Sequence, residues 1–117
     1  MKYIGNVQSQ SESEVFAVAS GALPDGKPVV VNSDGTVSVV GGGNLTTENF
    51  LGFTNAAYAT GQTATIQAGG AVNSGQSNLT IGQQYFVQTD GTIGTTAASP
   101  SVIAGTAVSA TDLIVKG

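Results

Sequence analysis

Few side chains in this sequence could carry out acid–base or nucleophilic chemistry. None of the 117 residues is histidine or cysteine. Histidine is the most common general base and the usual partner of a serine nucleophile, so this chain lacks the side chain that most often fills these two roles. Without cysteine there is no thiolate metal ligand and no disulfide framework. The remaining candidates for catalysis or metal binding are the acidic residues, Glu12, Glu14, Asp25, Asp34, Glu48, Asp90 and Asp112.

The spacing of these acids indicates turns and a solvated segment instead of an active site. Asp25, Asp34 and Asp90 each precede a glycine, and Asp-Gly supplies the positive φ angles of tight hairpin turns. Glycoside hydrolysis needs two carboxylates that face each other, and nothing in the sequence pairs these acids. Glu12 and Glu14 come closest to the spacing of a calcium loop, but they fall on a predicted N-terminal arm. We therefore predict no enzyme activity and no catalytic, cofactor-binding or metal-binding residue.

Two further signals have a structural interpretation. Residues 41–44, Gly-Gly-Gly-Asn, lack the Lys-Ser/Thr of a phosphate-binding loop, and no helix is predicted to follow them. The aromatic side chains could stack on sugars, but core or interface packing explains them better. These aromatic residues are Tyr3, Phe16, Phe50, Phe53, Tyr58, Tyr85 and Phe86.

The charge content excludes two classes of partner. Charged residues make up 9% of the chain, against roughly 25% in an average soluble domain. The net charge is −4, and the three lysines (Lys2, Lys27 and Lys116) are scattered. Such a chain cannot neutralise a row of phosphates or form a polybasic membrane patch. No apolar run approaches the length of a membrane span, and the N-terminal residues lack the apolar stretch of a secretory signal. We predict no nucleic acid and no membrane as partner.

Short runs of β-branched residues separated by turn signals predict an all-β fold. The predicted strands cover residues 15–19, 27–32, 36–40, 63–67, 84–88, 101–108 and 112–116. The best helical candidate, residues 47–59, is weakened by Gly52 and by the β-favouring Phe50 and Phe53. Strands at this spacing are typical of a small antiparallel β-barrel or β-sandwich. We expect one domain over residues 21–117, with an extended N-terminal arm over residues 1–20.

The sequence also contains an internal echo. Residues 31–37 match residues 87–93 in pattern, so that Asp34-Gly35-Thr36 recurs 56 residues later as Asp90-Gly91-Thr92. Each copy is followed by an apolar segment with a glycine near its centre, at Gly52 and at Gly105. This predicts an internal two-fold pseudo-repeat. The alternative is that two unrelated hairpins share a common Asp-Gly-Thr turn.

The surface that such a composition creates is short of charge. Soluble monomers ordinarily keep charged side chains on the surface, and edge strands are ordinarily protected by Lys or Pro. A surface of Thr, Ser, Gln, Asn and Ala costs little desolvation when a neighbour covers it. We therefore expect a homo-oligomer, with a trimer favoured, or a module docked on a repetitive lattice.

Several segments resemble a repeat in virion structural proteins of tailed bacteriophages, notably marine ones. The resemblance covers roughly residues 22–117 and is carried by residues 50–59, 61–66, 79–93 and 104–116. Its closing pattern is Tyr-x-Val-x-x-Asp-Gly-Thr, followed by Ala-Gly-x-Ala-x-Ser-x-Thr-x-Leu-x-Val, which here begin at Tyr85 and Ala104. The order of elements is also similar to that of small β-barrel head-decoration and capsid-fibre proteins. Residues 1–20 have no counterpart in the repeat.

The resemblance implies a virion component that carries no catalytic residues and is commonly trimeric. Our leading hypothesis is a capsid decoration (cement) protein that binds the major capsid protein or other virion subunits and stabilises capsid subunit junctions. The alternative is a tail-fibre or spike module involved in host-surface attachment, with a glycan bound through Tyr or Phe. A secreted hydrolase or lectin is disfavoured by the missing histidine and signal segment. The N-terminal arm would contact the capsid or a neighbouring subunit.

Overall fold

The computed structural model describes residues 13–116, and these residues form ten β-strands in two antiparallel five-stranded sheets, with no helix. The first sheet has the order β1-β5-β4-β2-β3 and the second β6-β10-β9-β7-β8. The first five strands are β1 Glu14–Val18, β2 Pro28–Val31, β3 Val37–Val39, β4 Phe50–Thr54 and β5 Thr63–Gln67. The other five are β6 Val72–Asn73, β7 Gln84–Val87, β8 Ile93–Gly94, β9 Ile103–Ala107 and β10 Leu113–Val115. The all-β prediction is confirmed.

The two sheets have the same topology. Subtracting five from each strand number of the second sheet reproduces the strand order of the first. The chain therefore contains two copies of one five-stranded unit, which we call the first unit (residues 14–67) and the second unit (residues 72–115). The sequence echo is part of this internal repeat, which extends over all five strands of each unit.

Equivalent hairpin turns in the two units are held by the same hydrogen bonds. The backbone N–H of Thr36 donates to the Asp34 carboxylate at 3.0 Å and the Thr36 hydroxyl donates at 2.6 Å. Thr92 and Asp90 repeat both distances. These bonds, the hydroxyl bond first, hold the pKa of each carboxyl below its ordinary value of 3.8, and Lys27 adds a smaller Coulombic lowering at Asp90.

A β-bulge next to a glycine of the same strand also recurs. Val29 in β2 lies opposite Gly52, and the register shifts between Val29 and Val30. Tyr85 in β7 lies opposite Gly105, and the register shifts in the same way. A Cβ atom on either glycine would overlap a backbone carbonyl oxygen of the neighbouring strand. The bulged strands can therefore pack at this distance only because these two positions lack a side chain.

The buried residues form two clusters, and one of them joins the units. The first cluster belongs to the first unit alone and includes Val29 and Ile66. The joint cluster contains Val30 and Phe53 of the first unit together with apolar residues of the second unit. The second-unit members are Tyr85, Val87, Val102, Ala104, Ala107, Leu113 and Val115. Neighbouring residues of a strand point to opposite faces, so the first sheet is buried on both faces at its central strands β2 and β4.

The weak helical candidate and the predicted N-terminal arm can both be compared with the structure. The helical candidate, residues 47–59, contains the strand β4, because Phe50 and Phe53 pack into the joint cluster and β4 pairs with both β2 and β5. The predicted arm, residues 1–20, is wrong for its last part, because all five residues of β1 pair with β5. Residues 1–12, including Tyr3 and Glu12, lie outside the described residues.

The bulge glycines give a stability prediction. Replacing Gly52 or Gly105 by alanine should lower the free energy of unfolding by about 1–3 kcal/mol. The reason is that the new methyl group would overlap the backbone of a paired strand, which cannot move independently. Gly41→Ala is the matched control, since no atom lies within 4 Å of its added Cβ, and it should change stability by less than about 0.5 kcal/mol. Urea denaturation would measure all three. Equal stability of the three variants would contradict the proposed close approach.

The hairpin hydrogen bonds give a pH prediction. Thr36→Val removes the hydroxyl donor, so the pKa of Asp34 should rise towards 3.8 while that of Asp90 stays unchanged, and Thr92→Val should do the reverse. Because the folded-state pKa is lowered, each carboxylate stabilises the fold above its ordinary pKa, and this contribution is lost as the pH falls through the lowered value. NMR titration of the carboxyl carbons would follow both residues. A shift of both carboxyls in either variant would argue against a local cause.

Candidate interaction surface

The acidic residues of the described chain do not converge on one site. Within residues 13–116, no three of the His, Cys, Asp and Glu side chains are grouped closely enough to hold a metal ion. Asp34 and Asp90 lie in the hairpin turns, and Asp112 accepts a hydrogen bond from the Thr111 hydroxyl at 3.1 Å. Asp25 lines a groove between the units. The notable features of the molecule are therefore its junction and its uncovered surfaces.

A buried asparagine joins the two units. The amide nitrogen of Asn73 donates to the backbone oxygen of Thr54 at 2.9 Å and to Oε1 of Gln67 at 2.7 Å. Its Oδ1 accepts from the backbone N–H of Gly75 at 3.1 Å and from Nε2 of Gln76 at 2.9 Å. All four capacities of the amide are thus used in a side chain that is 1% exposed. The network fixes β6 of the second unit against the ends of β4 and β5.

A polar groove of about 240 Å³ runs beside this network. It exists where the backbones of Gly26 and Gly75 approach each other, and Nε2 of Gln76 donates to the Gly26 oxygen at 2.8 Å. The groove is lined by Asp25, Asn55, Gln67, Val72, Asn73, Ser74 and Gly75. Carboxylate, amide and hydroxyl groups of this kind can exchange hydrogen bonds with a small polar ligand.

One face of the first sheet, its outer face, packs against the second unit. Strand register places Pro28 opposite Phe53 and Val30 opposite Phe50 on this face. Pro28, Val30 and Phe53 are buried, and Phe50 is half-buried with its ring edge-on to that of Phe53 at 5.9 Å. Val30 and Phe53 belong to the joint cluster and Phe50 packs against it. The second unit thus covers the outer face of the first over β2 and β4, whereas Phe16 on β1, which register places on the same face, is 67% exposed.

The equivalent face of the second sheet has no cover within residues 13–116. The register that pairs Pro28 with Phe53 here pairs Gln84 with Thr106, and the pair after the bulge is Phe86 with Ile103. Phe86 and Ile103 are half-buried, while Gln84 and Thr106 are exposed. Two apolar residues, 40% and 44% exposed, complete the face on β10 and β6. We call this surface the open face; its residues are Val72, Gln84, Phe86, Ile103, Thr106 and Ile114.

The open face is continuous and carries no charge. Val72, Ile114, Thr106 and Gln84 are successive cross-strand neighbours over four strands. A shallow depression of about 350 Å³ lies over part of this row, and Lys116 is the one charged residue that lines it. Its centre is therefore apolar and amide-bearing, while charge is confined to the rim.

A second exposed apolar pair lies at one end of the second unit. Ile81 and Val108 are 70% and 45% exposed, and the hydrogen bond from Gly82 N–H to the Ala107 oxygen, at 2.8 Å, brings their neighbours together. In the first unit the same bond joins Gly26 to Thr54 at 3.2 Å, so the equivalent residues are Asp25 and Asn55. Those two residues line the junction groove. In the first unit these two positions face the second unit. The equivalent positions of the second unit are apolar and exposed.

The residue types in the sequence do not mark these surfaces. Phe86 is expected from the sequence only to pack in a core or an interface, and Ile114, Val72 and Asn73 have no expected role. An available signal was the internal repeat itself, because aligning the two Asp-Gly-Thr turns places Phe86 at the position of the buried Val30. The sequence alone does not show that only one of these two positions, that of Val30, is covered by another unit.

The junction network gives a second stability prediction. Asn73→Ala leaves the Thr54 oxygen and the Gly75 N–H without their buried partner, so unfolding should become easier by about 1–3 kcal/mol. Gln83→Ala is the control, because its side chain is exposed and its one bond is to the next residue. Chemical denaturation followed by circular dichroism would compare them. A loss no larger than that of the control would mean that the network does not hold the units together.

Comparisons of the chain with protein-family models, with curated proteins and with solved structures each find no match. A search of residues 13–116 for a helix with the length and apolar character of a membrane span also finds none. The features that bear on function are therefore the geometric ones: a duplicated unit, a polar junction and an uncharged open face. The bacteriophage resemblance of the sequence stays a prediction.

Proposed function

We propose that this chain is a structural protein of a tailed-bacteriophage virion: a capsid decoration (cement) protein that binds the outer head surface and stabilises the junctions between capsid subunits. It acts by packing as a homo-oligomer against the major capsid protein or other virion subunits, and it catalyses no reaction. The observation that carries the proposal is the open face, a continuous apolar and uncharged surface on one unit of a duplicated fold.

The physical argument is about the cost of covering this face. A sheet face that remains in water normally carries polar residues, whereas this one presents Phe86, Ile103 and Ile114. Burying it removes apolar area from water without desolvating a charged group, so a neighbouring subunit gains contact at little electrostatic cost. A protein that decorates a particle needs such a contact. The resemblance of residues 22–117 supports a virion as the partner.

Two observations favour the alternative, a tail-fibre or spike module involved in host-surface attachment. The chain consists of two copies of one unit in tandem, and stacked repeats are a common way to build an extended body. The junction groove also offers the carboxylate of Asp25 and the amide of Asn55 to a polar ligand such as a glycan. Copy number and glycan binding distinguish the alternative from decoration.

The test is to locate and count the chain in purified virus particles. We expect hundreds of copies in each particle and density on the outer head surface by cryo-electron microscopy. Heads that lack the protein should release their DNA at a lower temperature, and adding back the purified chain should reverse this. A few dozen copies or fewer, located on the tail, together with specific binding on a glycan array, would favour the alternative. Absence from every particle would refute both.

A further inference from the structure

We propose that the junction groove is a binding site for one sugar ring of a neutral saccharide, held by Asp25, Asn55 and Ser74. The inference goes beyond the proposed function, because capsid decoration needs no small ligand, and it stands on the geometry of the groove alone. It also differs from the glycan contact expected from the sequence, which would be made by Tyr or Phe.

A buried hydroxyl fixes one wall of the groove. Thr54 is fully buried, and its hydroxyl donates to the backbone oxygen of Pro24 at 2.6 Å and accepts from the backbone N–H of Lys27 at 3.1 Å. The turn between these two residues contains Asp25, and Asn55 follows Thr54 directly at the end of β4. The hydroxyl therefore holds the carboxylate of Asp25 and the amide of Asn55 on the same side of the molecule.

A buried amide fixes the opposite wall. Asn73 uses all its hydrogen-bonding capacity, and its Oδ1 positions the backbone of Gly75 beside Ser74. Tyrosine apart, Thr54 and Asn73 are the buried polar side chains of the described chain. A buried polar group is costly unless its hydrogen bonds are all made. Both such groups lie at this groove, so its walls are rigid and its shape is formed in advance of any ligand.

The second unit shows that the fold does not require the polar groups of the first wall. There, Ala107 stands at the position of Thr54, and its backbone N–H and oxygen make the same two bonds across the turn, at 3.1 and 2.8 Å. The turn therefore keeps its backbone bonds without a buried hydroxyl. In place of Asp25 and Asn55, it carries the exposed apolar pair described above. A polar ligand in the groove accounts for the polar set of the first unit.

Three side chains that line the groove keep unused hydrogen-bonding capacity. The Asp25 carboxylate and the Ser74 hydroxyl make no hydrogen bond within residues 13–116. Oδ1 of Asn55 accepts from the Tyr58 hydroxyl at 2.5 Å, which orients the amide and leaves its nitrogen as a donor. The groove thus presents one acceptor, one donor and one group that can act as either.

This combination selects a neutral polyhydroxy ligand. The Asp25 carboxylate would repel an anion, and no lysine is among the described residues that line the groove. A divalent cation would need more carboxylate oxygens than one side chain supplies. Each hydroxyl of a sugar both donates and accepts, so two neighbouring hydroxyls satisfy the carboxylate and the amide together. Val72, which also lines the groove and is 44% exposed, offers an apolar contact to the C–H groups of the ring.

The size of the groove limits the ligand and its affinity. Its volume of about 240 Å³ is below the roughly 300–1,000 Å³ of sites for drug-sized ligands. One sugar ring therefore enters, while the rest of a glycan stays in solvent. So few contacts give weak binding, with a Kd on the order of 1 mM. Several copies that bind one glycan-coated surface would raise the overall avidity.

NMR titration of the full, ¹⁵N-labelled chain tests the inference. The probes are glucose, galactose, mannose and N-acetylglucosamine, each added to about 50 mM so that a millimolar site is filled. Glycerol is the control for unspecific polyol binding. We expect at least one sugar to cause saturable shifts in the backbone amides of Asn55, Ser74 and Gly75, and we expect glycerol to cause none.

Two variants test the assigned contacts. Asp25→Asn and Asn55→Ala should each weaken sugar binding by roughly fivefold or more, because each removes one hydrogen bond to the ligand. Both residues are exposed, so the variants should fold, and their own spectra would show it. Glu48→Gln is the matched control, because it also removes one exposed carboxylate but lies outside the groove, and it should leave the Kd unchanged.

The outcomes separate this inference from the proposed function. The saccharide site is overturned if none of the four sugars gives a saturable shift, if glycerol shifts the same amides equally, or if the shifts centre outside the groove. Equal weakening by Asp25→Asn and Glu48→Gln overturns it as well. None of these results bears on capsid decoration. If the chain binds a sugar in the groove but is found on the tail or in no particle, the proposed function is wrong and the saccharide site stands.

Discussion

Val29 and Val30 are adjacent in β2, and each is buried in a different cluster. Because neighbouring side chains of a strand point in opposite directions, this pair requires the first sheet to be covered on both faces at β2. Loops of the first unit cover one face through Leu23 and Tyr58, and the second unit covers the other. A chain of 117 residues can bury only a modest core. Here the first sheet lies in the middle of that core, and the buried residues pack on its two faces.

The second unit inherits the same architecture but not the same surroundings. Its inner residues, such as Tyr85 and Leu113, complete the joint cluster, while its outer positions have no further layer within residues 13–116. In stacked repeats, a unit at the end of the array normally has a polar outer face. Gln84 and Thr106 follow this rule, whereas Phe86, Ile103 and Ile114 do not. The open face is thus only partly adapted to water, and the proposed contact is placed there for this reason.

Features that depend on residues close together in the sequence could be predicted, and features that depend on residues far apart could not. The Asp-Gly-Thr turns were predictable because the carboxylate and the threonine lie two residues apart, and most strands were predictable from runs of β-branched residues. The two-residue strands β6 and β8 carry no such signal, because their partners define them. Gly52 argued against a helix over residues 47–59, but the sequence did not show why a glycine stands there. The reason is the backbone oxygen of Gln67 on another strand, which a Cβ atom at residue 52 would overlap. The role of Asn73 likewise depends on contacts with residues up to 19 positions away.

The scarcity of charge, noted first as a limit on chemistry, also limits how the proposed contact with virion subunits could form. A charged interface gains specificity and speed from long-range attraction, and it weakens as salt screens that attraction. The open face has no charge to use in this way, so the proposed contact would depend on shape and on the apolar side chains of Phe86, Ile103 and Ile114. Such contact is short-ranged and nearly insensitive to ionic strength. Under the proposed function, the subunit would be held near its neighbours on an assembled surface, where attraction over long distances is unnecessary.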